Sequence, residues 1–261
     1  MTESIIYKRD HQVAMITFNR PEQLNAFNRE MAFHLEKICL EVKNDPTIRA
    51  VLLKGQGEAF VAGNDLQEMY NNFDRLDAEA LSLIRHFNNS TLALREMNQP
   101  VLAMVHGLCT GAGMSLLLAA DLAVASNDAR FAMGFNKIAT SPAGGITYHL
   151  PKVTGTKKAM ELMLLSEVIT ADAAEACGLI NWSVPATELQ HKTDFVLDRL
   201  ITGPSIAFGE TKKLVNAAWH NKIVTQLELE AEAFAKCVSS RDFKTAVRAF
   251  VNKRIPEFEG R

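Results

Sequence analysis

Two short stretches of small residues have the composition needed to bind an oxygen atom that carries negative charge. AGND, at 62–65, follows the apolar run AFV, and GLCTGAG, at 107–113, follows the run VLAMVH. In each case a strand should end and a helix should begin, so that backbone N–H groups lack partners within the helix and lie at its positive end. Such groups commonly hold anions. The sequence therefore predicts two anion- or oxyanion-binding turns.

Nucleotide binding is the first alternative for the second turn. Gly111 and Gly113 could begin a Gly-x-Gly-x-x-Gly dinucleotide fingerprint, but Leu116 stands where the third glycine belongs, and no Gly-Lys-Ser/Thr sequence follows. A second alternative is that the glycines only allow a strand and a helix to pack closely. Two such turns after parallel strands favour a shared binding site over that interpretation.

A strand followed by a helix is the unit that has to position these turns. The alternation at 11–18 predicts a strand, and the apolar spacing at 25–44 predicts an amphipathic helix. Further strands are predicted at 50–55, 59–63, 101–107 and 121–126, with helices at 81–97 and in the apolar run between the last two strands. Strands that alternate with helices imply an α/β fold with a mostly parallel sheet.

The pattern changes after residue 136, where only helices are favoured. They are predicted at 157–165, 171–177, 187–201, 205–218, 225–238 and 242–252. The pair Gly203-Pro204 is the best boundary signal, because proline disfavours helix at the residue before it. We therefore predict an α/β core at 1–200 and a C-terminal helical oligomerisation region at 201–261.

Composition and charge exclude several classes of function. The 261 residues include 28 basic and 30 acidic side chains, a net charge of −2, so we expect no nucleic-acid or membrane partner. The apolar stretch at 114–120 is far shorter than the roughly 20 residues that cross a bilayer. The cysteines form no Cys-x-x-Cys pair, no secretory signal is evident, and no cluster has the spacing of metal ligands. We therefore expect a cytoplasmic protein with reduced thiols and no bound metal.

Motifs along nearly the whole chain resemble the enoyl-CoA hydratase/isomerase (crotonase) superfamily. They are NRPEQLNAFN (19–28), AFVAGNDLQEM (59–69), PVLAMVHGLCTGAGMSLLLAADLAVAS (100–126), ARFAMGFNKIATSPAGGITYHLPKVTG (129–155), ITADAAEACGLINWSV (169–184) and AFVNKRIPEFEGR (249–261). Within the superfamily the pattern is most similar to 1,2-epoxyphenylacetyl-CoA isomerases and delta-3,delta-2-enoyl-CoA isomerases. The resemblance implies a crotonase-like superhelix of repeated ββα units with a helical trimerisation region. It also implies a homotrimer or a hexameric dimer of trimers, and a role in fatty acid metabolism.

The resemblance also implies roles for the two turns. The backbone N–H groups of Asn64 and Ala112 are expected to bind the carbonyl oxygen of a CoA thioester and to stabilise its enolate, as an oxyanion hole does. The implied substrate-binding residues are Ala62, Gly63, Asp65, Leu66, Gly111, Phe250 and Lys253. The last two match an aromatic residue and a lysine that reach the CoA of a neighbouring subunit. From its place in the turn, Asp65 is expected to cap a helix rather than to act as an acid or base. No cofactor beyond the CoA thioester is implied.

The carboxylates that move protons in such enzymes are missing from this chain. The resemblance implies that hydratases have glutamates at the positions of Ser115 and Phe135, and that isomerases have an acid at the position of Ala143. The isomerase turn, Pro-(Asp/Glu)-x-Gly, reads Pro142-Ala143-Gly144-Gly145 here. Ordinary hydration of an enoyl-CoA is therefore disfavoured. An isomerase whose proton carrier stands at another position, or a reaction such as a decarboxylation that needs chiefly enolate stabilisation, is favoured.

Two alternatives remain open at this point. Tyr148 and His149 follow the altered turn by about one helical turn, so they are candidates for moving a proton, with packing or surface roles as the alternative. The loss of the carboxylates also fits a function of a different class, a non-catalytic acyl-CoA-binding paralogue. A nicotinamide-dependent enzyme is disfavoured by the broken dinucleotide fingerprint.

Overall fold

A computed structural model describes residues 3–261, apart from the side chains of Leu76 and Asp77. The strands are β1 (Ile5–Asp10), β2 (Val13–Phe18), β3 (Ala50–Gly55), β4 (Ala59–Val61), β5 (Val101–Val105), β6 (Leu108–Thr110), β7 (Leu122–Ser126), β8 (Arg130–Ala132), β9 (Ile169–Thr170) and β10 (Trp182–Val184). The helices are α1 (Arg29–Asn44), α2 (Leu66–Asn71), α3 (Leu76–Glu96), α4 (Ala112–Ala119), α5 (Ile146–Thr154), α6 (Thr156–Leu165), α7 (Ala171–Ala176), α8 (Leu189–Thr202), α9 (Ser205–Ala218), α10 (Ile223–Ser239) and α11 (Arg241–Val251).

The strands form two sheets that are mostly parallel. The larger has the order β1-β2-β3-β5-β7-β10 and the smaller β4-β6-β8-β9; only β1–β2 and β8–β9 pair antiparallel. The strand pairs β3–β4, β5–β6 and β7–β8 each place the first strand in the larger sheet and the second in the smaller, before the chain enters a helix. This is the repeated ββα unit that the sequence implied, so the α/β superhelix is confirmed.

Helix α4 is buried on every side. All of its residues are buried, with at most 7% of any non-glycine residue exposed, and an α-helix that is apolar all round belongs in a core. It packs between the smaller sheet and helices α3 and α5. Within residues 3–261, no helix combines the length and the apolar character that crossing a bilayer requires. The apolar stretch at 114–120 therefore belongs to a core helix whose N-terminus adjoins the second glycine turn.

The structure corrects several predicted element boundaries. The helix expected from residue 25 begins at Arg29, because Leu24 and Asn25 have positive φ and the side chain of Asn28 caps the helix by accepting from Met31 N at 2.9 Å. Strand β1 was not predicted; it pairs with β2 across a turn in which His11 has a φ of 50°. Helix α5 was also missed, because it contains Pro151.

Candidate active site

The two glycine turns lie against each other. Strands β4 and β6 are parallel neighbours in the smaller sheet, so their carboxyl ends meet at the same edge. Gly63 and Gly111 both have positive φ, 102° and 51°, and a Cβ added to Gly111 would lie only 3.2 Å from the Cα of Gly63. A Cβ on Gly113 would lie 2.3 Å from the carbonyl oxygen of Val61. The glycines therefore bring the backbones of the two turns into contact.

The amide of Asn64 is free to bind a ligand. Phe27 forms hydrogen bonds with the two residues that flank Asn64: Phe27 N donates to Gly63 O at 2.7 Å, and Asp65 N donates to Phe27 O at 2.8 Å. In a parallel ladder, the two residues that flank a paired residue form the hydrogen bonds to the partner strand. The N–H of the paired residue, here Asn64, therefore points away from that strand. Among residues 3–261, no protein acceptor takes the hydrogen of Asn64 N.

The amide of Ala112 is the second free donor. Ala112 is the first residue of α4, where helix geometry leaves N–H groups without intrahelical partners and the dipole favours negative charge. Its neighbour Gly111 donates instead to Met133 O at 3.1 Å. No side chain caps this helix, and no acceptor within the described residues takes the hydrogen of Ala112 N. The two free amides thus lie on adjoining turns.

Residues 19–28 hold the first turn in place through hydrogen bonds, a role that was not predicted from the sequence. Arg20 donates through Nη1 to Ala26 O at 2.5 Å and through Nη2 to Asp65 Oδ2 at 2.7 Å. Asn25, fully buried, donates to Ala59 O at 2.7 Å, at the start of β4. Ala62 N donates to Leu24 O at 3.1 Å. The available signal was the motif NRPEQLNAFN, which carries both polar residues.

Asp65 caps helix α2 and is paired with a cation. Its Oδ1 accepts from Glu68 N at 3.0 Å, while Oδ2 accepts from Arg20. Burial alone would raise the pKa of Asp65, but the hydrogen bond from Glu68 N and the Arg20 guanidinium outweigh it and lower the pKa below its ordinary value. Asp65 is therefore ionised and fully engaged, which does not suit a proton carrier. The next residue, Leu66, is about half exposed at the start of α2.

We expect Asp65→Asn to lower the free energy of unfolding at pH 7 by about 1 to 2 kcal/mol, because it leaves the partly buried Arg20 without its carboxylate. The folded-state pKa of Asp65 is depressed, so its contribution is complete above about pH 4, the ordinary value, and is lost as the pH falls through the lower folded value. Urea unfolding at pH 7 and pH 3 checks this. The difference between the variant and the wild type should shrink at pH 3, whereas Asp74→Asn, at an exposed site, should show no such change. An equal difference at both pH values would contradict the pairing.

The three positions that lack a carboxylate lie on α4 and on two segments that contact α4 or the glycine turn before it. Ser115 is buried and its hydroxyl donates to Ala143 O at 2.8 Å. A Cβ on Gly144 would lie 2.3 Å from a ring carbon of Phe87 and 2.8 Å from Ser115 Cβ, so these groups pack tightly. Phe135, also buried, follows two residues after Met133, whose carbonyl oxygen holds Gly111 N. Ser115 thus joins α4 to the turn at 142–145, Phe135 follows a segment that contacts the second glycine turn, and none of the three positions has a carboxylate.

Tyr148 and His149 lie beside a different space. They line a cavity of about 780 Å³ together with Leu117, Leu118 and Ala120 from the C-terminal end of α4. Helix α4 has 8 residues, so its two ends are roughly 12 Å apart. Burial, and then the charges of Arg95 and Lys152, lower the pKa of His149 to about 4. The structure thus brings Asn64 and Ala112 together but does not bring Tyr148 or His149 to them.

Phe250 and Lys253 lie at the end of α11, away from the protein's own core. The ring of Phe250 is 85% exposed, and Lys253 is exposed with a φ of 53°. The hydrogen bonds of this segment join it only to residues of α11, such as Lys253 N to Phe250 O at 3.1 Å. Neither side chain has a described contact with the two turns of the same chain.

Comparison with known proteins identifies similar chains over the whole length. The family model described as enoyl-CoA hydratase/isomerase matches residues 8–261. The chain is 37% identical to the 1,2-epoxyphenylacetyl-CoA isomerase of Escherichia coli K12, covering 100% of both chains, and 31% identical to the short-chain-enoyl-CoA hydratase of Clostridium acetobutylicum, covering 99% and 98%. Among solved structures, an enoyl-CoA hydratase from Polaromonas sp. JS666 superposes with a TM-score of 0.93 at 29% identity, covering 98% and 99%.

Proposed function

The chain belongs to the enoyl-CoA hydratase/isomerase family, and from that premise we propose that its adjoining turns bind the carbonyl oxygen of an acyl-CoA thioester. The observation that carries the proposal is the pair of free amides, Asn64 N and Ala112 N, on turns whose glycines touch. An enolate formed from a thioester places negative charge on that oxygen. Two fixed N–H donors stabilise this charge more than they stabilise the neutral carbonyl, and so they lower the barrier.

The reaction that this site suits best is an isomerisation rather than a hydration. Hydration has to activate a water molecule and to deliver a proton to carbon, and Ser115 and Phe135 can do neither. The Ser115 hydroxyl is engaged with Ala143 O, and Phe135 has no proton to transfer. A double-bond or ring isomerisation passes through the same enolate and moves one proton, which a group outside positions 115, 135 and 143 has to take and return. A decarboxylation releases CO₂ and forms the enolate without removing a proton first. The proposed chemistry asks for no group beyond the CoA thioester, and we place it in the cytoplasmic metabolism of acyl-CoA esters.

A panel of thioesters tests the proposal directly. Purified protein would be assayed with 2-enoyl-, 3-enoyl-, epoxyacyl- and malonyl-type CoA esters under the same conditions. We expect turnover of a substrate that isomerises or decarboxylates, and hydration of the 2-enoyl ester at a much lower rate. Hydration as the fastest reaction would overturn the isomerase proposal, and a failure to bind any CoA thioester would overturn the site itself.

A second candidate function is acyl-CoA binding without catalysis. The observation that favours it is the simultaneous absence of carboxylates at 115, 135 and 143. Calorimetry with acyl-CoA separates the two: binding accompanied by turnover supports the enzyme, whereas binding without turnover of any ester in the panel supports the non-catalytic protein.

We also propose that the protein is a homotrimer or a dimer of trimers. Its last two helices expose large apolar side chains that a single chain leaves uncovered, among them Leu227, Phe234, Val247, Phe250 and Val251. An assembly would bury this surface and could bring Phe250 and Lys253 to the CoA of a neighbouring subunit. Light scattering should therefore give the mass of three or six chains. The mass of a single chain would contradict the proposal.

A further inference from the structure

The ring of Phe87 packs between helix α4 and the turn that contains Ala143. Phe87 lies on α3 and is 2% exposed. A Cβ added to Gly144 would lie 2.3 Å from Phe87 Cε1 and 2.8 Å from Ser115 Cβ, so the ring and Ser115 fill the space beside Gly144. The Ser115 hydroxyl also donates to Ala143 O at 2.8 Å. Phe87 therefore lies beside both α4, which begins at Ala112, and the turn that follows Ala143.

A row of aromatic side chains fixes the position of this ring. Phe87 meets Phe27 edge to face, with ring centroids 5.1 Å apart. Phe27 meets Phe18 at 5.8 Å, and Phe18 in turn meets Phe60 of β4 at 5.6 Å. All four rings are buried, and in a closely packed interior such a ring cannot swing aside without displacing its neighbours. Because the backbone of Phe27 also holds the first glycine turn, Phe87 has a fixed place relative to the Asn64 amide.

The cavity of about 780 Å³ begins on the other side of this packed group. Asn88 lines it on α3, Gly145 lines it on the turn, and Leu117 lines it on α4. Each of these residues is one or two positions beyond the residue of its segment that takes part in the packing around Phe87. Along α4 the packed group therefore lies between Ala112 and the cavity.

We propose that Phe87 is the end wall of the acyl pocket and restricts the protein to short or compact acyl groups, an inference that rests on the proposed function. The CoA part of the substrate is charged and has to stay near solvent, so the apolar acyl chain is the part that enters the interior. With the thioester oxygen at Asn64 N and Ala112 N, a chain that passes Ala143 meets the Phe87 ring next.

The space behind the wall would suit a longer chain if the ring were absent. Much of the cavity lining is aliphatic, including Leu117, Leu118 and Leu179. Burial of additional methylene groups there would be favourable, whereas forcing the same groups against a packed ring is not. A single side chain, Phe87, thus decides whether the acyl pocket and the cavity are separate or joined.

Calorimetry with saturated acyl-CoA esters tests the end wall without requiring turnover. We expect the wild type to bind hexanoyl-CoA at least about tenfold more tightly than decanoyl-CoA, because the longer chain has to displace a packed ring. Phe87→Ala should reduce this ratio by about tenfold or more, through a gain in affinity for decanoyl-CoA. Leu94→Ala is the control, since it removes packing at a fully buried residue of the same helix and should leave the ratio unchanged.

A fluorescence measurement shows where the longer chain goes. In a Trp182→Phe background, Trp219 is the remaining tryptophan, and it lines the cavity. When Phe87→Ala is added to this background, decanoyl-CoA should change the emission of Trp219 more than hexanoyl-CoA does. With Phe87 intact, the two esters should have the same effect. Phe87→Leu, which keeps more of the side chain, should give an intermediate ratio of affinities and serves if Phe87→Ala does not fold.

Two kinds of failure can be told apart. Affinity of the wild type for decanoyl-CoA that equals or exceeds its affinity for hexanoyl-CoA would overturn the end wall, and this result needs no variant. An unchanged ratio in the folded Phe87 variants, or a Trp219 emission that responds equally to both esters in Phe87→Ala, would also overturn it. Failure of every acyl-CoA ester to bind the wild type would instead overturn the proposed function, and this inference with it.

Discussion

Replacing Ala112 by proline is expected to lower kcat/KM for the preferred acyl-CoA substrate by about 10²- to 10³-fold, the usual effect of removing one oxyanion donor. Ala112 is the first residue of α4, the helical position that tolerates proline best, because its N–H makes no intrahelical bond. Gly111 before it has φ 51° and ψ −114°, the mirror image of an extended conformation, which suits a residue before proline. The substitution therefore removes the hydrogen with little cost to the helix, and it places a ring carbon where the oxygen should bind.

The control for this prediction is Ala112→Gly, which removes the methyl group and keeps the N–H. We expect its kcat/KM to stay within a few-fold of the wild type, and thermal unfolding should confirm that both variants are folded. If Ala112→Pro keeps full activity, the amide of Ala112 has no part in the reaction. If Ala112→Gly is as inactive as the proline variant, the side chain rather than the donor matters.

The second large effect is a gain in the rate of isomerisation when a carboxylate is introduced at position 143. Ala143→Asp should raise the rate of 3-enoyl-CoA isomerisation by about 10²-fold or more, because a positioned carboxylate that takes and returns a proton contributes about 10² to 10⁴. Ala143 is half-buried, and its carbonyl oxygen accepts from Ser115, three residues beyond Ala112 on α4. A carboxylate at this position would therefore lie beside the proposed enolate. The scaffold would then supply both parts that the reaction needs.

Ala143→Asn is the matched control, since it has nearly the shape of aspartate but cannot carry the proton. It should bind acyl-CoA as the aspartate variant does and show no gain in rate. An equal gain from asparagine would mean that the side chain acts through shape. No gain from aspartate, with acyl-CoA binding retained, would show that position 143 does not face the reacting carbon atoms.

Much of the fold could be predicted because the strong signals are local. The helix at 205–218 and the strand at 50–55 match α9 and β3, since apolar spacing indicates both, Pro204 precedes the start of α9 and Gly55 ends β3. Short strands such as β6 and β8, of three residues each, have no periodicity to detect; they exist because neighbouring strands pair with them. Helix α5 was missed for the opposite reason, because Pro151 is a local signal that tertiary packing overrides.

In the candidate site, too, the features with local sequence signals could be predicted and the others could not. The two glycine turns were readable, because free amides at the ends of strands follow from backbone geometry alone. The support that Arg20 gives to Asp65 spans 45 residues of sequence, and no spacing rule predicts it. Tyr148 and His149 were chosen for their distance along the chain, yet α5 turns them toward the end of α4 that lies away from Ala112.

A crystal structure of the protein with a non-reactive acyl-CoA thioester analogue would test most directly whether the two amides bind the thioester oxygen. We expect the carbonyl oxygen to lie about 2.7 to 3.1 Å from both Asn64 N and Ala112 N, with the acyl Cα beside Ala143. A carbonyl oxygen that contacts neither amide, or a thioester bound in the cavity beside Tyr148 and His149 instead, would contradict the proposal.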